Sequence, residues 1–436
     1  MIIYAENLSQ RFRYAVRCVF EDYCGEVELT NDMVHFQSQD QPYKINYSNQ
    51  QFSDTTIFHI IPAGVLEGQD YQRLKVTFGV MDDLPILFPN QGESGFDPLS
   101  AIFFALTRYE EYWRFEGDEM GRYLPEYSVF SQMNVLHRPI ADEWRLKLQS
   151  QLENKFPGIQ FQLRKSQFIS TIDIDSAYAY LHKGAYRTFG AIAQDLMRLR
   201  LKNLSKRLSI LLHGKNDPYD TYDYILAQHE KYNCRSIFFF LLADFGDYDK
   251  GLPHRSKGLQ QLIRRIQKKS EIGIHPGVAS HKRYNTILRE KSRLETISAK
   301  NIKHSRQHYL LLRFRTTYRL LKATGIEHDY TLSYAQTTGF RAGTARPFYW
   351  FDLKKNQEAN FIVHPFPAMD TTLKKYMGLS PNAAKQELEE LVNRIRIVGG
   401  DFISLWHNET LTDIGEWRGW REVFEHSLQL GKSLEA

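Results

Sequence analysis

Short apolar runs alternate with amphipathic helical patterns from residue 166 to the end of the chain. The helical patterns predict helices near residues 218–231, 257–268, 283–300, 316–323 and 381–398. The apolar runs predict strands at residues 168–173, 236–243, 271–275, 307–312, 329–334, 339–343, 361–365 and 402–407. Strands and helices in this order are typical of a mainly parallel sheet or a β/α barrel. Functional residues in such folds gather at the carboxyl ends of the strands.

The first part of the chain has a different pattern. Short β-rich runs between polar turn residues predict strands at residues 2–4, 14–20, 27–29, 43–47, 56–61 and 74–80. A helix is predicted from Asp97, where Pro98 follows at the first turn, to about Trp113, and another over residues 140–154. Residues 156–158 break the second helix. We therefore expect an α+β accessory domain over residues 1–158 and an α/β domain over residues 166–436.

Basic residues are concentrated in one long segment after the first strand of the second domain. The 436 residues carry a formal net charge of only +5, yet seven Arg and Lys residues lie between positions 186 and 215. Such a segment can contact anionic lipid, a membrane or a lipid-linked sugar, although a solvated helix face is the simpler interpretation. No nucleic-acid-binding motif accompanies it, so nucleic acid is not an expected partner.

Cysteine content and hydropathy bear on the compartment. The chain has three cysteines without CxxC spacing, which predicts neither a disulfide framework nor a zinc knuckle. The N-terminus lacks the basic and apolar regions of a signal peptide. No stretch approaches the roughly 18 uninterrupted apolar residues of a membrane helix. We therefore expect a cytoplasmic protein.

Two carboxylates close the first strand of the α/β domain. Asp173 and Asp175 are two residues apart, which places both side chains on the same face of an extended strand. Two like charges this close disfavour joint ionisation unless a cation or an Arg lies between them. The pair therefore predicts a functional site, although Asp175 alone would also fit as the cap of the following turn.

Further polar side chains lie at or near the ends of later strands. They are His275, Arg306, His308, Arg341, Trp406 and His407. A structural role is the alternative for His275, and a solvated edge strand is the alternative for the stretch with Arg306 and His308. Asp175 and His275 are oxygen and nitrogen ligands that suit Zn²⁺ or a similar divalent ion. With such an ion, Asp173 would take a proton from water, an Arg would fix Asp173, and His407 would protonate the leaving group. The set therefore predicts metal-assisted hydrolysis.

The order of these motifs resembles the polysaccharide deacetylases of carbohydrate esterase family 4. The order is Thr-x-Asp-x-Asp, Ile-Gly-x-His, an Arg motif and Leu-x-His, spread over about residues 166–410. The resemblance implies that Asp173 is the catalytic base, Asp175 and His275 bind metal, and His407 is the catalytic acid. It also implies a distorted β/α barrel. The N-terminal part resembles a domain of unknown role found in a bacterial subgroup of these proteins.

One position departs from the family pattern. The second metal histidine of the family lies four residues after the first, where this chain has Ala279. His281 is nearby but out of register, so we expect His308, next to Arg306, to supply the missing ligand. Arg306 and Arg341 are both candidates for the Arg that holds Asp173. Asp329 matches the position of another family motif, and Asp329 and Trp406 are expected on the substrate side.

These observations lead to one expectation and two alternatives. We expect a metal-dependent deacetylase that hydrolyses an N-acetyl or O-acetyl group on a sugar or polysaccharide precursor. The metal is expected to be Zn²⁺, with Co²⁺, Ni²⁺ or Mn²⁺ as alternatives. The first alternative is a catalytically inactive protein of the same fold that binds glycan or assembles a complex. The second is a hydrolase for a different C–N or ester bond, because fold alone does not fix the substrate.

Overall fold

The computed structural model describes residues 1–71, 73–113 and 115–435. Its contacts divide the chain into two compact units. Unit 1 consists of Met1–Ser166, Gly339–Pro365 and Asn393–Asp401. Unit 2 consists of Gln167–Thr338, Phe366–Val392 and the chain from Phe402 onward. The two later segments of unit 1 interrupt the stretch that the sequence pattern assigns to the second domain.

Unit 1 begins with a small parallel sheet. Its four strands lie in the order β2-β1-β3-β4. They are β1 (Ile2–Ala5), β2 (Glu28–Thr30), β3 (Lys44–Tyr47) and β4 (Phe58–Ile60), with helices α1 (Gln10–Val19) and α2 (Met33–Ser38) between them. All three pairings in this sheet are parallel. Helical connections between successive strands are the usual way to build such a sheet.

The strand predicted over residues 14–20 is wrong, because this stretch belongs to helix α1. Ser9 caps the helix, and its Oγ accepts a hydrogen bond from Phe12 N at 3.0 Å. Phe12, Val16 and Val19 recur at helical spacing and are buried. The stretch is rich in Tyr, Val and Phe, which are common in strands, but the cap together with core packing favours the helix.

The rest of the first segment is mainly helical. Strands β5 (Phe78–Met81) and β6 (Leu84–Leu87) form an antiparallel pair. The helices are α3 (Pro98–Leu106), α4 (Glu110–Trp113), α5 (Val129–Gln132) and α6 (Ile140–Lys155). Asp97 caps α3, accepting a hydrogen bond from Ser100 N at 3.0 Å, and Pro98 occupies the first turn as predicted.

Strands and helices alternate along the chain in unit 2, and one hairpin that belongs to unit 1 interrupts the alternation. The strands are β7 (Phe168–Ile174), β8 (Arg235–Phe240), β9 (Glu271–Ile274), β10 (His304–Ser305) and β11 (His328–Asp329). The helices are α7 (Ala185–Met197), α8 (Leu201–His213), α9 (Tyr222–Tyr232), α10 (Lys257–Ile266), α11 (Tyr284–Ser298) and α12 (Thr317–Ala323). The antiparallel hairpin β12 (Phe348–Asp352) and β13 (Gln357–Val363) then belongs to unit 1. After it come β14 (Ala368–Met369), α13 (Pro381–Val398), β15 (Phe402–His407) and α14 (Trp420–Glu435).

The expected α/β architecture is confirmed for unit 2. Its strands lie in the order β11-β10-β9-β8-β7-β15-β14, and the pairings between them are parallel. The sheet curls as an open half-barrel. Strand β7, which lies between β8 and β15, is buried along its whole length. Ile169, Ile237 and Ile403, from three adjacent strands, belong to one buried core cluster. This packing fixes the strand ends relative to one another.

Three predicted strands are shorter than expected or absent. Residues 307–312 contain only a 3₁₀ turn, His308–Leu310, in which Tyr309 has a φ of 57°. The strand predicted at 329–334 ends at Asp329. Residues 339–343 form no strand, and Gly343 has a φ of 63°. Positive φ values take the backbone out of the extended region, so the apolar composition of these stretches reflects buried loops.

One arginine connects the three segments of unit 1. Arg346, in the second segment, is 3% exposed. Its Nη1 donates to Oδ2 of Asp22 in the first segment at 2.8 Å. Its Nη2 donates to the carbonyl oxygen of Val398 in the third segment, also at 2.8 Å. A buried charge needs partners of this kind. Arg346 therefore ties the second and third segments of unit 1 to the first.

Hydropathy sets a limit on membrane insertion. In the described part of the chain, no helix has both the length and the apolar character needed to cross a bilayer.

Candidate metal centre and active site

Polar residues predicted from the sequence lie together at one edge of the unit 2 sheet. Asp173 is near the end of β7, and His407 is the last residue of β15 and its neighbour in register. His275 directly follows β9. Arg306 and His308 follow β10. Because these strands are parallel, their carboxyl ends meet on the same side of the sheet, as expected for a site in this class of fold.

Asp175, His275 and His308 bring three ligand atoms close together. These atoms all lie within 4.8 Å of one another. His275 Nε2 is 3.2 Å from Asp175 Oδ1, and His308 Nε2 is 3.4 Å from Asp175 Oδ2. Both histidines are buried, whereas the Asp175 side chain is 25% exposed. One carboxylate and two imidazoles with an open side is a ligand set typical of a catalytic divalent metal.

The second ring nitrogen of each histidine is already engaged. His275 Nδ1 lies 2.7 Å from the carbonyl oxygen of Arg306, which can only accept a hydrogen bond. Nδ1 of His275 is therefore a hydrogen-bond donor to this carbonyl oxygen, and Nε2 is the ring atom that faces Asp175. His308 Nδ1 lies 2.8 Å from Asp249 Oδ1. A carboxylate behind a histidine in this way is a common partner of metal-binding histidines.

Asp175 is ionised in this setting, as a metal-binding carboxylate must be. Burial alone would raise its pKa, but His308, His275 and His407 together hold the pKa of Asp175 well below its ordinary value. Its Oδ1 accepts no hydrogen bond from any residue that the structure describes. A buried ionised oxygen without a donor is costly, and a metal ion would satisfy it. The residues present thus fit a divalent metal.

His308, and not residue 279, completes the group of three side chains. Ala279 contributes only its backbone N–H, which lies 3.4 Å from Asp249 Oδ2. His281 is outside the triad; burial lowers its pKa to about 4. Asp249 thus contacts both the loop after His275 and the ring of His308.

Asp173 is held by Arg306. Arg306 Nη1 donates to Asp173 Oδ1 at 3.0 Å and to Thr171 Oγ1 at 2.8 Å. Arg306 Nε donates to the Tyr330 carbonyl oxygen at 2.8 Å, and the side chain has no exposed surface. The other carboxylate oxygen, Asp173 Oδ2, lies 3.7 Å from His275 Nε2. One oxygen is therefore anchored, while the other faces the metal ligands.

His407 is oriented by Asp370. Its Nδ1 lies 2.9 Å from Asp370 Oδ1, and its backbone N–H donates to Asp370 Oδ2 at 2.8 Å. The opposite nitrogen, Nε2, is 3.8 Å from Asp175 Oδ2. Burial would lower the pKa of His407, but Asp370 and Asp175 outweigh it and raise the pKa to about 10. His407 therefore carries a proton on Nε2 that points into the site.

Arg341 and Asp329 lie elsewhere, which corrects two expectations. Arg341 belongs to unit 1, where its Nη2 donates to Glu111 Oε2 at 2.7 Å, so the partner of Asp173 is Arg306. Asp329 is fully buried and accepts hydrogen bonds from Ser305 Oγ at 2.7 Å and from Thr331 Oγ1 at 2.9 Å. Burial raises the pKa of Asp329 to about 6. Its carboxylate thus links Ser305 of β10 to the loop after β11 and has no exposed surface.

Trp406 is also not available to a substrate. Its side chain is 1% exposed, and its ring packs edge-on against Phe424 at 5.3 Å. Consecutive residues of a strand point to opposite faces. Because His407 points into the site, Trp406 must point into the core beneath α14.

Three residues of the site were not predicted. Asp249 lies in the loop after β8, and Asp370 directly follows the two-residue strand β14. Neither position has a periodic pattern around it, so the sequence offered no signal. The third is Tyr309, whose ring lies 4.4 Å from the ring of His308 and is 39% exposed. A left-handed residue in a predicted strand could have been found only from its backbone angles.

Comparison with known families gives a match for the N-terminal part. Residues 1–157 match a family of unknown function, DUF7033. This stretch lies within the first segment of unit 1 and includes none of the site residues. A comparison with curated proteins found no match.

Several solved structures are weakly similar. A protein from Mycobacterium smegmatis described as a candidate polysaccharide deacetylase is 16% identical, over 60% of this chain and 83% of that chain, with a TM-score of 0.39. A polysaccharide deacetylase from Bacillus cereus is 10% identical, over 61% and 86% of the two chains, with a TM-score of 0.29. A CE4 family pseudoenzyme from Bacillus anthracis is 8% identical, over 60% of each chain, with a TM-score of 0.30. Similarities this low do not establish a function.

Proposed function

We propose that this protein is a metal-dependent hydrolase that removes an acetyl group from the nitrogen, or the oxygen, of an acetylated sugar or glycan precursor. One observation carries the proposal. The open triad of Asp175, His275 and His308 lies between an anchored carboxylate, Asp173, and a protonated imidazole, His407. Amide or ester hydrolysis needs these three functions on one reacting carbonyl.

The triad would hold the metal. A divalent ion such as Zn²⁺, when bound there, supplies a Lewis acid that polarises the acetyl carbonyl and lowers the pKa of water. The protein prepares the ligands, because the Arg306 carbonyl and Asp249 fix the two rings with Nε2 facing Asp175. The loops that carry these partners are part of the same buried edge of the sheet.

Asp173 and His407 would move the protons. Asp173 Oδ2 takes a proton from water as the oxygen of that water bonds to the acetyl carbon. His407 Nε2 then gives a proton to the nitrogen, or oxygen, of the sugar as its bond to the acetyl carbon breaks. The products are acetate and the free amine or alcohol. Arg306 keeps Asp173 in place, and Asp370 keeps His407 protonated.

Aromatic rings beside the triad support a sugar as substrate. Tyr309 is 39% exposed and Tyr248 is 51% exposed, and their rings lie edge to face at 6.1 Å. Tyr309 holds a left-handed backbone conformation, which costs free energy in a residue of this size. Flat exposed rings offer apolar faces for a pyranose. The motif order of polysaccharide deacetylases, given above, supports the same class of substrate.

Acetate release tests the proposal. The purified chain, loaded with Zn²⁺ or Co²⁺, is incubated with N-acetylglucosamine oligomers and with O-acetylated sugars, and acetate is measured. Metal-dependent release that is abolished by a chelator and restored by metal supports the proposal. If the protein binds metal and glycan in stoichiometric amounts but releases no acetate, the inactive glycan-binding alternative is correct.

Replacing Asp370 with asparagine should slow the reaction without weakening substrate binding. The variant keeps the shape of the side chain but removes the charge that raises the pKa of His407. We expect kcat to fall by about 10²-fold, within the range of lost acid catalysis, with KM nearly unchanged. Because protonated His407 is the active form, the loss of activity at high pH should begin at a lower pH. Asp244→Asn, an exposed aspartate paired with Arg289 and Arg293, is the control. An unchanged pH profile in Asp370→Asn would contradict the role.

Replacing Tyr309 with leucine should weaken substrate binding and leave the chemistry intact. We expect KM to rise about 2- to 10-fold, equivalent to the roughly 0.5–1.5 kcal/mol contributed by one aromatic contact. Tyr309→Phe keeps the ring and should behave like the unaltered protein. Tyr284→Leu, which removes a tyrosine of equal exposure (39%) at the start of α11, is the matched control. Equal KM values for Tyr309→Leu and Tyr284→Leu would argue against the ring as a sugar platform.

A further inference from the structure

Helices α7 and α8 form a segment that is barely packed against the rest of the protein. We call residues 185–215 the basic hairpin. Only Asp195 in α7 and Ile210 in α8 are buried. The hairpin carries one acidic and seven basic residues, which gives it a net charge of +6 with His neutral. The whole chain has a net charge of +5, so the excess positive charge is concentrated in this one segment.

The tip of the hairpin alternates large apolar and basic side chains. Residues 196–202 read Leu-Met-Arg-Leu-Arg-Leu-Lys and are all exposed. Met197 is 79% exposed, Leu199 is 81% exposed and Leu201 is 63% exposed. Tyr186, Phe189 and Leu212 on the two helices are also largely exposed. Exposed apolar side chains scattered singly are normal, but a run of this density marks a binding surface.

The base of the hairpin is fixed to unit 2. Arg187 donates from Nη1 to the Gly251 carbonyl oxygen at 2.9 Å, and its guanidinium lies 4.2 Å from the Phe245 ring centroid. Asp195 joins the two helices by accepting a hydrogen bond from Arg207 Nε at 3.1 Å. These contacts use Arg187 and Arg207, whereas no carboxylate of the described residues pairs with Arg198, Arg200 or Lys202. The tip is therefore presented outward with its charges uncompensated.

We infer that the basic hairpin docks on the surface of an anionic lipid bilayer. The apolar tip would enter the boundary between headgroups and acyl chains, and the interleaved Arg and Lys side chains would contact lipid phosphates. Large apolar side chains among the cations favour a bilayer over nucleic acid, because phosphate backbones offer no apolar phase for Leu and Met. The charge complementarity favours an anionic over a neutral membrane. This inference does not depend on the proposed function.

Vesicle binding tests the inference with the full chain. We expect the protein to sediment with vesicles of phosphatidylcholine and phosphatidylglycerol, and not with phosphatidylcholine alone. A charge variant combines Arg198→Gln, Arg200→Gln and Lys202→Gln. An apolar variant combines Met197→Ser, Leu199→Ser and Leu201→Ser. Each should weaken partitioning by at least about 10-fold, since charge and apolar area both contribute. All six side chains are exposed, so thermal unfolding should be unchanged.

A charge-matched control separates the hairpin from the overall net charge. Lys268→Gln, Lys282→Gln and Lys322→Gln remove the same number of exposed cations outside the hairpin, and this variant should bind vesicles normally. Equal loss in this control would overturn the inference. So would full binding by the apolar variant, because the surface would then be a general polyanion site. The inference would also be overturned if RNA or heparin competed with vesicles for the protein and bound the apolar variant as strongly as the unaltered protein.

Discussion

Replacing Asp173 with asparagine is expected to lower kcat by about 10²–10⁴-fold, the range seen when a general base is lost. The asparagine amide cannot take a proton from water, although it still fills the space beside Arg306. The metal ligands Asp175, His275 and His308 are unchanged, so the variant should still bind one equivalent of metal. The measurement is steady-state acetate release, with metal content determined on the same sample.

The control must account for the buried arginine that Asp173 neutralises. The asparagine oxygen can still accept a hydrogen bond from Arg306, but the buried guanidinium loses its counterion, and removing one partner of a buried ion pair costs about 3–5 kcal/mol. Activity should therefore be assayed well below the unfolding temperature of the variant. Asp329→Asn, which alters another fully buried aspartate at a strand end, should retain activity while it is folded. If Asp329→Asn loses as much activity as Asp173→Asn, burial and not base catalysis explains the effect.

Replacing His308 with alanine is expected to weaken zinc binding by at least about 100-fold. Loss even of an outer partner of a metal ligand costs 10- to 100-fold, and His308 is one of only three ligands in the triad. Competition with a chromophoric chelator measures the affinity directly. The visible spectrum of the Co²⁺-loaded protein reports the change in ligands without any assay of activity.

His281 provides the matched comparison for this prediction. It lies two residues after Ala279, the position at which the family pattern places a histidine, and it is outside the triad. His281→Ala should bind zinc as the unaltered protein does. The reverse result, with zinc lost in His281→Ala and kept in His308→Ala, would show that the loop after His275 rearranges to hold the metal, and the proposed centre would be wrong.

The sequence predicted the strands that position most of the site. Strand β15 begins and ends at the predicted residues, and β7, β8 and β9 lie within one to three residues of the predicted limits. These strands are buried, and their nearly continuous apolar runs leave few other ways to assign their secondary structure. Asp173, Asp175, His275 and His407 could be found because each closes such a run. The resemblance indicates His308 only as a replacement for the histidine missing at position 279, and the structure brings it to Asp175 and His275.

The remaining features depend on tertiary contacts. The choice between Arg306 and Arg341 could not be made locally, because both are single arginines in small or apolar surroundings, and only the folded chain pairs Arg341 with Glu111. Asp249 and Asp370 lie in loops without periodicity. The buried position of Trp406 could have been predicted from the sequence, because Trp406 precedes His407 on a strand and consecutive side chains point to opposite faces.

The discontinuity of unit 1 has a consequence for its biosynthesis. Asp22 and Glu111 are buried acids of the first segment, and their cationic partners Arg346 and Arg341 are encoded more than two hundred residues later. A nascent chain that has reached residue 166 can pair Glu111 with Arg108 and Asp22 with Arg145, but it lacks the two later arginines. The N-terminal region therefore forms its full set of buried ion pairs only after residue 346 has been translated, and residues 1–157 expressed separately would lack the same two arginines.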